Sequence, residues 1–269
     1  MSENKEKINR RGARRFLPWL IPSLFFFSWI VISAAGLIPT YLLPHPHDIA
    51  ETAYAYIFGA PGGGPYAGRF LSDAASSLLR VGCGFAVAVA VGLPLGILSG
   101  RLSVIQKLLS TTVNALRAVP GITWLPLAMI WFGIGMKTTV FLVAMAAFFP
   151  VFLNAAAGAR QVDPLLLQAG AMMGVRRLRG TFAILIPGAM PHLMTGLRLG
   201  LGISWAYLVL GELTGVQNGL GAVIMDARML GRIDMIVVGI IIIAVIGRLA
   251  DRLLQGGMRF CFKSARRLV

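Results

Sequence analysis

The sequence predicts an all-α, polytopic membrane protein with six transmembrane helices, a short helix on the cytoplasmic surface, and both termini in the cytoplasm. Three observations lead there. Of 269 residues, 57% are hydrophobic and 13% charged, roughly half the charged share that a soluble domain needs to cover its surface. Mean hydropathy is +0.78. Charge-free runs recur along the chain, and the net charge of +15 is distributed unevenly between the loops that join them. A soluble enzyme, a disordered chain and a disulfide scaffold are excluded at this stage.

The organisation expected is a basic tail at 1–15, a membrane domain at 16–255 and a second basic tail at 256–269. Spans are expected at about 17–38, 78–100, 108–133, 138–158, 189–212 and 231–250. Each of the first five rests on a run long enough for about 20 helical residues, which cross about 30 Å of hydrocarbon. The fifth is interrupted only by Arg198. The sixth has a shorter apolar centre, Met235 to Gly247, lengthened by Arg232 and Asp234 at one interface and Arg248 at the other. The first run follows basic residues as a secretory signal would. Its apolar stretch from Phe16 to Ile32 is too long for a signal core and resumes at Leu37-Ile38, so it reads as a retained span.

Orientation follows from the basic residues. With both termini inside, eighteen lie at the cytoplasmic ends, five at the outer ends and two, Arg117 and Arg198, within spans. This is the positive-inside pattern, and it removes the need for a nucleic-acid partner to explain the charge. Cys83, in a span, and Cys261, in the cytoplasmic tail, fall in different compartments and are read as free thiols.

Between the first two spans, the Pro- and Gly-rich segment from Leu43 to Asp73 forms an outer connector, with a short helix over Asp48 to Ile57. His45 and His47 have no third ligand nearby, so no metal site is expected. Between spans four and five, Asp163-Pro164 has the pattern of an N-cap followed by proline at the first helical position. Gly174 is placed to end that helix in a left-handed turn. The product is a helix at about 164–174 on the cytoplasmic surface. Taken alone, it would also fit a segment resting on lipid headgroups.

Gln168-Ala169-Gly170, three residues, Gly174, nine residues and Ile184-Leu185-Ile186-Pro187 resemble the cytoplasmic "EAA" signature of permease subunits of bacterial ABC importers. That signature is Glu-Ala-Ala, three residues, Gly, nine residues, Ile-x-Leu-Pro. The departures are Gln168 for Glu, Gly170 for the second Ala and Ile186 for Leu. Further stretches resemble the nitrate/sulfonate/taurine-type permeases: Leu42 to Pro46, Leu116-Arg117-Ala118-Val119-Pro120, Ile130 to Gly135, Phe148 to Asn154, Gly196 to Gly202 and Gly219-Leu220-Gly221. The likeness is collinear from about residue 16 to 255.

The resemblance implies a homodimeric permease in the bacterial inner membrane, two cytoplasmic ATP-binding subunits and an extracytoplasmic solute-binding protein. It also implies a small, anionic cargo such as a sulfonate, taurine or nitrate. Asp163, Pro164, Gln168, Ala169, Gly170, Gly174 and Pro187 would form the coupling element. The small residues Ala169, Gly170, Ala171 and Gly174 would permit close approach to the ATP-binding partner. The chain has no G-x-x-x-x-G-K-[ST] phosphate loop, so no cofactor and no enzymatic activity of its own are expected.

Four residues are candidates for the pore or gate. Arg117 and Pro120 either face the bundle as a gate or place a snorkelling cation beside a simple kink. Trp124 stacks on substrate or anchors and packs. Arg198 faces the pore or makes an ion pair. Glu212 is expected near the outer surface, paired with Arg228 or Arg232. An ion-coupled secondary transporter is the alternative function, and it would call for acids buried in spans.

Overall fold

The computed structural model describes residues 20–36, 38–60 and 62–261. Most of the basic tails, including 1–15 and 262–269, and the beginning of the first expected span lie outside the described residues. Among those described, regular structure is entirely helical. The elements are α1 (Leu20–Ala34), α2 (Pro46–Phe58), α3 (Phe70–Arg101), α4 (Ser103–Ala118), a 3₁₀ turn (Gly121–Trp124), α5 (Leu125–Phe132) and α6 (Met136–Gln161). After them come α7 (Pro164–Met172), α8 (Arg177–Gly180), a π-helical turn (Thr181–Leu185), α9 (Ile186–Glu212), α10 (Leu220–Met229) and α11 (Ile233–Cys261).

Four helical stretches are long and apolar enough to cross a membrane: Phe70–Arg101, Met136–Gln161, Thr181–Glu212 and Ile233–Met258. The third expected span is not one straight helix. It is the pair α4 and Gly121–Phe132, bent by 87°. Pro120 is the physical cause: it cannot donate to the ladder and drives the residue before it out of the helical region. Val119 is extended at φ −78° and ψ 119°. The described part of the first expected span, α1, is shorter than a full crossing. At the other end, α11 continues to Cys261, beyond the boundary expected at 250.

The core is a three-helix layer with α6 in the middle, packed along its length against α3 on one side and α9 on the other. Small residues allow the backbones to touch, as expected where hydrocarbon gives no hydrophobic drive for helix association. On α3, Gly92, Gly96 and Gly100 recur one turn apart. A Cβ added at Gly96 would lie 2.6 Å from the Phe152 carbonyl oxygen, and one at Gly100 2.5 Å from that of Ala156. The second seam joins two of the sequence motifs. A Cβ at Gly196 would meet Asn154 at 2.6 Å, and one at Gly200 would meet Val151 at 3.0 Å. The Phe148–Asn154 and Gly196–Gly202 stretches are thus two halves of one helix–helix contact within the chain. α10 and α11 close one side, with α2 and the N-terminal end of α3 joining a common core around Tyr56, Leu220, Val223, Met235 and Val238.

Candidate functional site

Three regions stacked along the bundle carry the residues of interest. At one end of the bundle, the Asp163 side chain accepts a hydrogen bond from the Leu165 N–H at 2.8 Å, which caps α7 where Pro164 begins it. Termination is equally local. Gly174 takes φ +80°, its N–H donates to the Ala171 carbonyl, and the Val175 N–H donates to that of Gly170. These two bonds satisfy the last carbonyls in the Schellman pattern, which needs the left-handed residue that glycine supplies.

The helix shows two different faces. Gly170 is buried against the chain itself, since a Cβ there would lie 2.5 Å from Ile184. The expectation that it gives close approach to a partner is therefore corrected: it seats α7 on the π-helical turn before α9. Gln168, Ala169 and Ala171 are exposed, and so are Leu165, Leu166, Met172 and Met173, the methionines at 90% and 83%. Four large apolar side chains of one short helix thus stand in the open. Pro187 lies just after the π-helical turn, within the continuous helical stretch Thr181–Glu212.

In the middle of the bundle a cavity of about 370 Å³ lies between the α4 break, α6 and α9, lined by Arg117, Pro120, Met145, Phe149, Leu153 and Tyr207, among others. Phe149 is thirteen residues into the 26-residue α6, about 20 Å from its start by the helical rise. Arg117, an exposed residue near the end of α4, lines the same cavity. No hydrogen bond or ion pair engages Arg117 among the described residues. Trp124, half-buried in the 3₁₀ turn, is not part of the lining. Arg198 is elsewhere: its Nε donates to Asp251 at 3.0 Å and its side chain is 47% exposed. Of the two expected environments, the structure shows the ion pair.

At the opposite end the structure holds a polar cluster that sequence reading misplaced. Glu212 is fully buried, not near the surface, and its partner is neither Arg228 nor Arg232. The carboxylate accepts from Arg80 Nη1 at 2.6 Å, from Ser77 Oγ at 2.8 Å and from the Gly221 N–H at 2.8 Å. Arg80 also donates to the Asn218 carbonyl. Asp73 accepts from the Gly219 N–H at 3.0 Å and from Tyr56 Oη at 3.1 Å, while the Leu220 N–H donates to Ser77 Oγ. Three side chains from two spans thus cap the first turn of α10, satisfying N–H groups that a helix start leaves open. Burial, reinforced by Asp73, pushes the Tyr56 phenol above its ordinary value, so it remains a donor. Gly219 has no alternative here: at φ +146°, a Cβ would stand 2.6 Å from the Glu212 carboxylate.

Asp73, Ser77 and Arg80, with Arg69 before them, repeat at intervals of three and four residues on one helix face. That periodicity was visible in the sequence; their partner 132 residues later was not. The same cluster explains why α3 starts at Phe70 and not near 78: its polar first turns are satisfied by the cluster, so they need no water. Tyr207 and Phe149 had no sequence signal separating them from packing aromatics.

Ser33 Oγ is hydrogen-bonded to His45 Nδ1, while His47 lies beside Asp48 and Glu51, so the two histidines do not converge. Among the described residues no group of three or more His, Cys, Asp or Glu is arranged to hold a metal ion.

Residues 92–255 match the protein family described as "Binding-protein-dependent transport system inner membrane component". A protein of Bacillus subtilis (strain 168), provisionally named aliphatic sulfonates transport permease protein SsuC, is 32% identical over 252 residues, covering 92% of this chain and 88% of that one. The taurine transport system permease protein TauC of Escherichia coli (strain K12) is 33% identical over 223 residues, 83% of this chain and 80% of that one. The nitrate import permease protein NrtB of Synechocystis sp. (strain PCC 6803) is 32% identical over 212 residues, 78% and 77% of the two chains. Among solved structures, the inward-facing MetNI methionine ABC transporter is similar in fold at a TM-score of 0.57 and 18% identity, with 70% of this chain and 95% of the matched chain covered.

Proposed function

The chain belongs to the family of binding-protein-dependent transport system inner membrane components, multi-pass permeases of ABC transporters that work with ATP-binding subunits. On that premise we propose that it forms the pathway of an importer for a small anion such as a sulfonate, taurine or nitrate. It acts as a homodimer, receives solute from an extracytoplasmic binding protein, and draws energy from two ATP-binding subunits, with no ATPase chemistry of its own. The observation that carries this is α7: a helix capped at both ends, seated through Gly170 on the turn before α9, with Leu165, Leu166, Met172 and Met173 facing out.

A load applied to that apolar face passes through Ile184 and Pro187 into α9, and from there across the glycine seam into α6. Alternating access then follows as a shift between two packings of the bundle, driven by whichever the nucleotide-bound partner prefers. Asp163 and Gly174 hold the helix in register, while Gln168 and Ala169 lie on its exposed side. Arg117 and Pro120 belong to the pathway, and Trp124 stiffens the turn between them and α5.

The test is co-purification from detergent-solubilised membranes with the native neighbouring subunits. The double variant Met172→Glu, Met173→Glu changes only exposed atoms, so its fold is expected intact. Recovery of an ATPase with wild type and its loss with the variant supports the reading. Equal recovery with both removes α7 as the coupling element, and no ATPase with either chain removes the importer assignment.

A further inference from the structure

We propose that the cavity between the α4 break, α6 and α9 is a solute-binding site for organic anions, with Arg117 and Tyr207 holding the charged head and apolar walls selecting a hydrocarbon body over an inorganic ion. The inference rests on the permease reading above and goes further, because it places selectivity inside the membrane subunit. The pathway then has a discriminating station of its own beyond any binding protein.

Three features of the cavity support it. Arg117 lines the cavity exposed and with no hydrogen bond or ion pair among the described residues, so its donors are open to a ligand anion. Arg198, by contrast, is satisfied by Asp251, which leaves Arg117 as the cation of this cavity. The lining around Arg117 is mostly apolar: Met145, Phe149, Leu153 and Ile203 come from α6 and α9. A volume of about 370 Å³ falls in the range of small-molecule sites, roughly 300 to 1,000 Å³. A four-atom nitrate ion would leave most of it unfilled. Planar, five-donor guanidinium suits the oxygens of a sulfonate or carboxylate, and methionine fits walls to bodies of different shape.

Tyr207 is held in place by an absence. Gly121, directly after Pro120, has no side chain, and a Cβ there would stand 2.3 Å from Tyr207 Oη. The α4 break therefore does two things: it brings Arg117 to the cavity at the end of α4, and it provides the bare backbone on which the Tyr207 phenol rests. Both donors reach the same space from different helices, so a rocking motion between the α4 break and α9 would separate them and release the anion.

The experiment is equilibrium binding of radiolabelled hexane-1-sulfonate to the permease with its ATP-binding subunits in nanodiscs, without binding protein, with ethanesulfonate and nitrate as competitors. Saturable binding is expected, strengthening about fourfold per added methylene, with nitrate at least 50-fold weaker than hexanesulfonate. Arg117→Gln should lower affinity at least tenfold and Arg117→Lys should recover part of it. Phe149→Ala should flatten the chain-length series, and Gly121→Ala, by displacing Tyr207, should weaken every anion. Nitrate binding as tightly as hexanesulfonate, a flat chain-length series in wild type, unchanged affinity in Arg117→Gln, or no saturable binding would each overturn the proposal. ATP-driven uptake of the same solutes by the full system in proteoliposomes is measured in parallel. Uptake that persists alongside one of those results sinks the cavity site alone. Uptake absent for every anion sinks the permease reading beneath it.

Discussion

Truncating Glu212 to alanine should cost the protein about 3 to 5 kcal/mol. The structure gives the reason. Glu212 is fully buried and accepts hydrogen bonds from Arg80, Ser77 and the Gly221 N–H, while Arg80 is itself only 11% exposed. Removing the carboxylate leaves a buried guanidinium without its counter-charge, which is the expensive half of breaking a buried pair. It also orphans the Gly221 amide, by itself worth about 1 to 3 kcal/mol. The two losses share one site and do not simply add. The assay is denaturant unfolding of the detergent-solubilised protein, arranged as a double-mutant cycle of Arg80→Ala and Glu212→Ala. The double variant should be less damaged than the sum of the single ones, with a coupling of at least about 1.5 kcal/mol. A Glu212→Ala variant within 0.5 kcal/mol of wild type, or a coupling near zero, would refute the view that this pair pins α10 to α3 and α9.

Other variants probe the remaining contacts. Gly219→Ala should destabilise by about 1 to 3 kcal/mol through backbone strain and contact with the Glu212 carboxylate, read from the same unfolding curves. Gly96→Val should cost about 1 to 3 kcal/mol by forcing α3 off the Phe152 backbone. Gly82→Ala, in the same helix with open space around it, should be neutral or stabilising by up to about 1 kcal/mol. Asp163→Ala removes the α7 cap and should lower stability by about 1 kcal/mol, while reducing solute-stimulated ATP hydrolysis more than solute binding. Arg198→Gln breaks a half-exposed pair worth at most about 1 kcal/mol. Uptake in proteoliposomes should continue with it and fall sharply with Arg117→Gln.

What the sequence by itself determined is what depends on neighbours within a turn or two. Long apolar runs give spans because a helix satisfies its own backbone in hydrocarbon; among the described residues four such helices are present, five with the bent pair, where six spans were expected. The start and stop of α7 were legible because an N-cap, a first-turn proline and a left-handed glycine act over two to five residues. Gly170 shows where this ends: its smallness was evident, but whether it faced a partner or Ile184 depended on how the π-helical turn folds back.

Tertiary structure alone decided the pairings. Glu212 chose Arg80 over Arg228 and Arg232, and Arg198 chose Asp251, because in a low-dielectric bundle a charge is settled by whichever opposite charge packing brings within reach. Sequence distance says nothing about that reach: 132 residues separate Arg80 from Glu212. Pro120 announced and causes the break, yet the 87° angle and the close approach of Gly121 to Tyr207 on α9 were not legible in the sequence. The helices are local events. The cavity between them, with its single unpaired arginine, exists only because several local events meet in space.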